Sequence, residues 1–184
     1  QKKDKPSVKA FQRVMSEYDA LADTDKRLVT VAGLTACAQA RFLEGESVLD
    51  ALRAVKLRLP EKVLADQITK KLMTLKQAVE IFTSVEAFGQ PNWTIAAASR
   101  KGFGYQDLAT AIENVPAPSM LNEDQKQFFR QGLLEKAQPV WEKAKSEFGR
   151  AVETARELKW YNTYSVEAED ALMKLDPSFR ALPD

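Results

Sequence analysis

The sequence predicts an all-α fold built from antiparallel helix pairs. Three features carry this: only seven glycines in 184 residues, apolar residues spaced by three and four along almost the whole chain, and no sustained alternation of apolar and polar residues. With 45% hydrophobic residues the chain can bury a core, and its length fits a single repeat-type domain over 1–184.

Val8, Phe11, Met15, Tyr18 and Ala22 form one helical stripe beginning just after Pro6, which predicts a first helix over about 6–22. Residues 1–5, with Lys2, Lys3 and Lys5, read together with Lys9 as a frayed, solvated terminus; a membrane-surface or partner contact is the alternative. Asp23 or Thr24 can cap a second helix whose face is Leu28, Val31, Ala32, Thr35, Cys37, Ala38 and Phe42. Gly45 weakens it, so it either continues to about residue 56 or breaks and restarts at Ser47. Residues 57–60 read as an extended connector, because the residue before a proline is pushed out of helical geometry. A long third helix follows on Leu64, Ile68, Leu72, Leu75, Val79 and Phe82, ended by Gly89 and Pro91.

A fourth helix capped by Asn92 runs to about residue 115. The proline-rich stretch 116–121 is the clearest linker, and Asn122 to Gln125 then has the form of a capped helix start. Helix continues to about residue 159, with Pro139 expected to kink or divide it and leave 122–139 as a separate helical insertion. Tyr164, Ala168, Ala171, Leu172 and Leu175 mark a last helix closed by Asp176-Pro177.

Chemistry is thinly represented. Histidine is absent, which removes the commonest general base and metal ligand. Cys37 is alone in an apolar run, where burial raises a thiol pKa and no internal disulfide is possible. Glu153, Glu157, Glu167, Glu169 and Asp170 leave an acid pair or an oxygen-ligand site open by count, but they lack the acidic alternation of a calcium loop and read first as a solvated surface. Gly102-Phe103-Gly104 lacks the Gly-Lys-Ser/Thr ending of a phosphate loop, so close helix packing explains it better. No catalytic, cofactor or metal site is expected, and the chain is expected not to be an enzyme.

Lys and Arg number 27 against 26 acidic residues, so no charge field invites nucleic acid. Trp93, Phe103, Tyr105, Trp141 and Tyr164 are therefore expected between helices, whereas Trp160 and Tyr161 can either cap the core or dock a partner. No run is long enough to span a membrane. The start at Gln1 leads us to expect a processed protein or a piece of a longer one.

Gly102-x2-Tyr105 followed by Ala144-x3-Phe148-x2-Ala151 resembles the two helices of one tetratricopeptide repeat, with about thirty extra residues between them. Ala78-x3-Phe82-x2-Val85 resembles the second helix of an earlier, partial repeat. The fold is thus expected to be a short α-solenoid with a helical insertion inside one repeat. The block at 90–108, Gln-Pro-Asn-Trp-Thr-Ile-Ala-Ala-Ala-Ser-Arg-Lys-Gly-Phe-Gly-Tyr-Gln-Asp-Leu, resembles the C-terminal part of large tetratricopeptide proteins of deltaproteobacterial envelopes. Asn114-Val-Pro-Ala-Pro, Leu134-Glu-Lys-Ala-Gln-Pro, Glu157-Leu-Lys-Trp-Tyr-Asn and Leu175-Asp-Pro-Ser-Phe follow in the same order, and the resemblance covers about residues 40–182. Lys101, Ala98 and Ser99 depart from the repeat pattern, the first being charged where it is usually apolar and the others smaller.

The best-known members of that group belong to the adventurous, gliding motility machinery of myxobacteria. The resemblance implies a non-catalytic periplasmic or outer-membrane-associated scaffold whose partners are other envelope proteins. The alternative implied role is purely structural, the C-terminal cap of a longer repeat array whose partner is the rest of its own chain.

Overall fold

A computed structural model describes residues 8–179. Every regular element among the described residues is helical: α1 (Val8–Asp19), α2 (Asp23–Lys26), α3 (Val31–Ala54), α4 (Glu61–Glu86), α5 (Pro91–Glu113), α6 (Glu123–Leu158) and α7 (Thr163–Leu175). The expected disorder of 1–5, the basic residues Lys2, Lys3 and Lys5, and the helix start at Pro6 lie outside the described residues.

The N-terminal third departs most from expectation. α1 stops at Asp19, and Asp23 opens only a one-turn helix, while the long α3 is capped by Thr30, whose Oγ1 accepts from Gly33 N at 3.2 Å. Leu28 and Val31 are not on a buried face, being 79% and 72% exposed. Burial begins at Cys37, where α1 lies over α3 and Met15, Cys37 and Ala40 form a small core. Gly45 causes no break, because the helix continues through it and buries it.

Polar and charged contacts fix how the helices run. Thr35 donates to Gln90, Arg100 pairs with Glu46 at 3.0 Å and Arg53 with Asp107 at 2.8 Å, so α3 and α5 are parallel. Asn162 bonds Asn92, and Arg100 reaches Glu167 at 2.6 Å, which sets α7 parallel to α5 as well. Consecutive long helices are antiparallel: Gly45 and Leu52 of α3 meet Phe82 and Lys71 of α4, and α6 runs back along α5 with Phe148 against Gly102 and Trp141 bonded to Glu113. The result is two rows, α3, α5 and α7 in one and α4 and α6 in the other, an arrangement compatible with a helical solenoid.

The two pairs α3–α4 and α5–α6 are built alike. An added Cβ at Gly45 would stand 2.6 Å from Phe82 Cε1, and one at Gly102 would stand 2.5 Å from Phe148 Cδ1. In each pair a fully buried Ala, Ala78 or Ala144, precedes the Phe by one turn, and Val85 or Ala151 follows it. Phe82 and Phe148 are themselves fully buried, each burial being worth about 2–3 kcal/mol.

The two pairs also have comparable spans, and the expected division at Pro139 is corrected. Gly45 precedes Phe82 by 37 positions and Gly102 precedes Phe148 by 46, so both pairs have long arms and differ by only nine residues. Residues 122–139 are not a separate helix; they are the first half of the 36-residue α6, which Pro139 does not divide. Pro139 is exposed, so the carbonyl that loses its amide partner faces water, and the Asn122–Gln125 capping box starts the helix well upstream.

Cations set between the helices complete the frame. Lys71 takes the inward place expected of Leu72, which is 48% exposed. Its Nζ donates to Leu52 O at 2.6 Å and Val55 O at 3.3 Å, satisfying the carbonyls at the end of α3, and burial lowers its pKa. Arg100 and Lys101, adjacent on α5, reach opposite sides: Arg100 ties α3 and α7, while Lys101 reaches Glu86 of α4 at 2.9 Å and Glu147 of α6 at 3.7 Å. Arg150 closes that second group on both carboxylates at 2.6 Å. Ala98 and Ser99 are fully buried beside these residues on α5.

The start of α5 also differs from expectation. Gln90 is the N-cap, Pro91 opens the helix, and Asn92 lies inside it with its side chain accepting from Asn162.

Candidate functional site

α6 ends in a Schellman motif. Trp160 N donates to Ala155 O at 2.9 Å and Lys159 N to Arg156 O at 3.1 Å, with Lys159 in the left-handed region at φ 50°. Two residues later Asn162 caps α7 through Ser165 in a reciprocal box, and its Nδ2 donates to Asn92 Oδ1 at 3.0 Å. The corner between α6 and α7 is therefore held at both ends and pinned to the start of α5.

Trp160 and Tyr161 ride on this fixed backbone and are 49% and 61% exposed, with Leu158 and Val166 half-exposed beside them in sequence. Aromatic side chains with few rotatable bonds, carried on rigid backbone, give the kind of anchor that dominates protein interfaces. The neighbouring charges, Glu157 and Lys159, are of opposite sign, so the corner has no strong field.

The other aromatic residues named from the sequence are turned inward. Trp93 and Tyr164 pack on Phe42 with ring centroids 5.1 and 5.4 Å apart, Phe103 lies edge-on to Phe148 at 4.9 Å, and Trp141 Nε1 donates to Glu113. Gly102, Ala144, Phe148, Ala151, Ala78 and Phe82 all sit in the helix interfaces, and Tyr105 is part-buried between the two main core clusters.

Two of the groups with chemical potential are tied up. Cys37 is buried, which raises its thiol pKa, and Glu167 is held by Arg100. No group of three or more potential metal ligands occurs among the described residues, and no helix among them is long and apolar enough to cross a membrane. Gly104 lies mid-helix, where an added Cβ would meet Leu75 at 2.9 Å, so the Gly-Phe-Gly segment serves packing.

Sequence reasoning missed Gly45, Lys71 and Arg100 as organising residues. Gly45 carried a usable signal, since Phe82 with Ala78 repeats the Phe148–Ala144 spacing and calls for its own glycine. No comparable pattern announces the two cations, whose partners lie on other helices. No family model, curated protein or solved structure matches the chain.

Proposed function

We propose that this chain is a non-catalytic protein–protein adaptor, a tetratricopeptide-like array of helix pairs that offers the Trp160–Tyr161 corner to a protein partner. The supporting observation is the exposed aromatic pair on a backbone fixed by the Schellman turn, the Asn162 cap and the Asn162–Asn92 bond. By the resemblance of residues 40–182, the setting is a bacterial cell-envelope assembly, periplasmic or outer-membrane-associated, with gliding motility machinery as its best-known example.

The test is affinity capture from deltaproteobacterial envelope extracts on the immobilised chain and on its Trp160→Ala/Tyr161→Ala variant. A defined envelope protein retained by the first and lost by the second is the expected result. Retention of general chaperones alone, or equal capture by both, overturns the proposal.

A second reading, a structural cap on a longer array of its own chain, is favoured by Leu21, Leu28 and Val31, which expose apolar surface at the α1–α3 end. The full reading frame separates the two readings: helix pairs of the same Gly–Phe pattern directly upstream support the cap.

A further inference from the structure

The first half of α6 stands clear of the helix it pairs with. α5 ends at Glu113, Gly102 faces Phe148 and Ala137 is fully buried, so residues 123–136 extend roughly 20 Å beyond that helix. On this arm Phe128 is 83% exposed, and beside it lies a groove of about 590 Å³ lined by Leu121, Phe129, Gly132 and Leu133.

Gly132 is unlike the glycines of the core. The Cβ positions of Gly45, Gly102 and Gly104 are taken by side chains of facing helices, whereas nothing lies within 4 Å of the Cβ position of Gly132. Glycine weakens a helix interior, and here no contact among the described residues requires it. Gly149 is equally open, but no exposed aromatic stands a turn away from it.

Asp124, Phe128, Gly132 and Lys136 form one row at four-residue spacing, and the row is symmetric about position 130. Turned end for end on a copy of itself, it sets each Phe128 against the other's Gly132 and each Asp124 against the other's Lys136. The two charges are exposed, and neither is in an ion pair among the described residues. Rows of this spacing interlock when two helices cross at about −50°. A surface that complements itself in shape and charge under a two-fold rotation fits a second copy of the same chain.

We propose that the first half of α6 is a homodimerisation surface, on which Phe128 of one copy enters the gap above Gly132 of the other while Asp124 and Lys136 pair across the two-fold axis.

Sedimentation equilibrium of the chain tests this, with Phe128→Ala, Gly132→Leu and the charge variants Lys136→Asp and Asp124→Lys/Lys136→Asp. The expected result is a concentration-dependent dimer, weakened about ten-fold or more by Phe128→Ala and by Gly132→Leu. Lys136→Asp weakens it and the double exchange restores it. Gly132→Leu is decisive, because it adds apolar surface and helix propensity: non-specific hydrophobic association would strengthen, and a filled gap weakens only the paired arrangement. A wild-type chain that stays monomeric at all attainable concentrations, or a Gly132→Leu protein that dimerises as well as wild type, overturns the proposal. Trp160→Ala/Tyr161→Ala should dimerise normally, so this surface and the aromatic corner stand or fall separately.

Discussion

Gly102 lies so close to Phe148 that an added Cβ would be 2.5 Å from both Cδ1 and Cε1 of the ring. Phe148 is fully buried and also stacks edge-on with Phe103, so it has nowhere to move. Gly102→Ala is therefore expected to destabilise the protein by about 1–3 kcal/mol despite the ~1 kcal/mol that alanine gains in a helix. Gly45→Ala should behave likewise against Phe82. Gly149→Ala, with open space at its Cβ position, should instead stabilise by about 0.5–1 kcal/mol. Urea unfolding of the three variants checks the contrast; a Gly102→Ala protein as stable as wild type would remove the basis for the close approach of α5 and α6.

Lys101, 5% exposed, is the centre of a four-member group with Glu86, Glu147 and Arg150. Removing it leaves two carboxylates sharing one guanidinium. Lys101→Met should cost about 1–3 kcal/mol, since it leaves a part-buried carboxylate short of a partner. Adding Glu86→Gln restores charge balance between Arg150 and Glu147, and the double variant should be more stable than Lys101→Met alone. Equal stability of the single and double variants in chemical denaturation would show that the pairing does not act as a unit.

Much of the fold was legible because it is local. The rhythm from Leu64 to Phe82, the Asn122 capping box and the Asp176-Pro177 stop each depend on residues within a turn or two, and α4, α6 and α7 lie close to where these put them. The failures have partners far away in sequence. Gly45 reads as a weak point until Phe82 is seen against it, and Leu72 reads as the inward residue until the carbonyls of Leu52 and Val55 are seen to draw Lys71 in instead. Pro139 reads as a helix divider because the sequence does not show that it faces water. Leu28 and Val31 are apolar yet exposed, which the pattern alone takes for core. Trp160 and Tyr161 were recognisable as aromatic residues just past a helix end, whereas their fixed backbone depends on a left-handed Lys159 that no residue type announces.

That Lys159 is itself testable. A non-glycine residue at φ 50° carries a steric penalty of roughly 1 kcal/mol that glycine does not. Lys159→Gly should therefore raise stability by about 0.5–1 kcal/mol, the relief exceeding glycine's greater freedom in the unfolded chain. Thermal melting checks the sign. Partner capture through Trp160 and Tyr161 should be unchanged, because the Schellman hydrogen bonds use the backbone alone.

Asp176 closes α7 and joins it back to α6. Its carboxylate accepts from Lys145 Nζ at 2.7 Å, from Ser178 Oγ at 2.5 Å and from Ser178 N at 3.0 Å. These bonds, the one from Lys145 foremost, hold its pKa down from 3.8 to about 2. A depressed carboxylate pKa means that the folded state binds the proton less readily than the unfolded chain. The contribution to stability is thus fully present above the unfolded value of 3.8, declines as the pH falls through the window, and is gone below about 2. Following the Asp176 carboxyl carbon by NMR should give a midpoint near 2 in wild type, moving up towards 3.8 in Lys145→Met. High salt should raise the wild-type midpoint as well, since the Lys145 contact is open to solvent and screened. Asp176→Asn should flatten the loss of stability on acidification across the same window. A wild-type midpoint at 3.8 would mean that the Lys145 and Ser178 bonds are not formed in solution, and that α7 is held to α6 by its apolar face, Ala168, Ala171 and Leu172, alone.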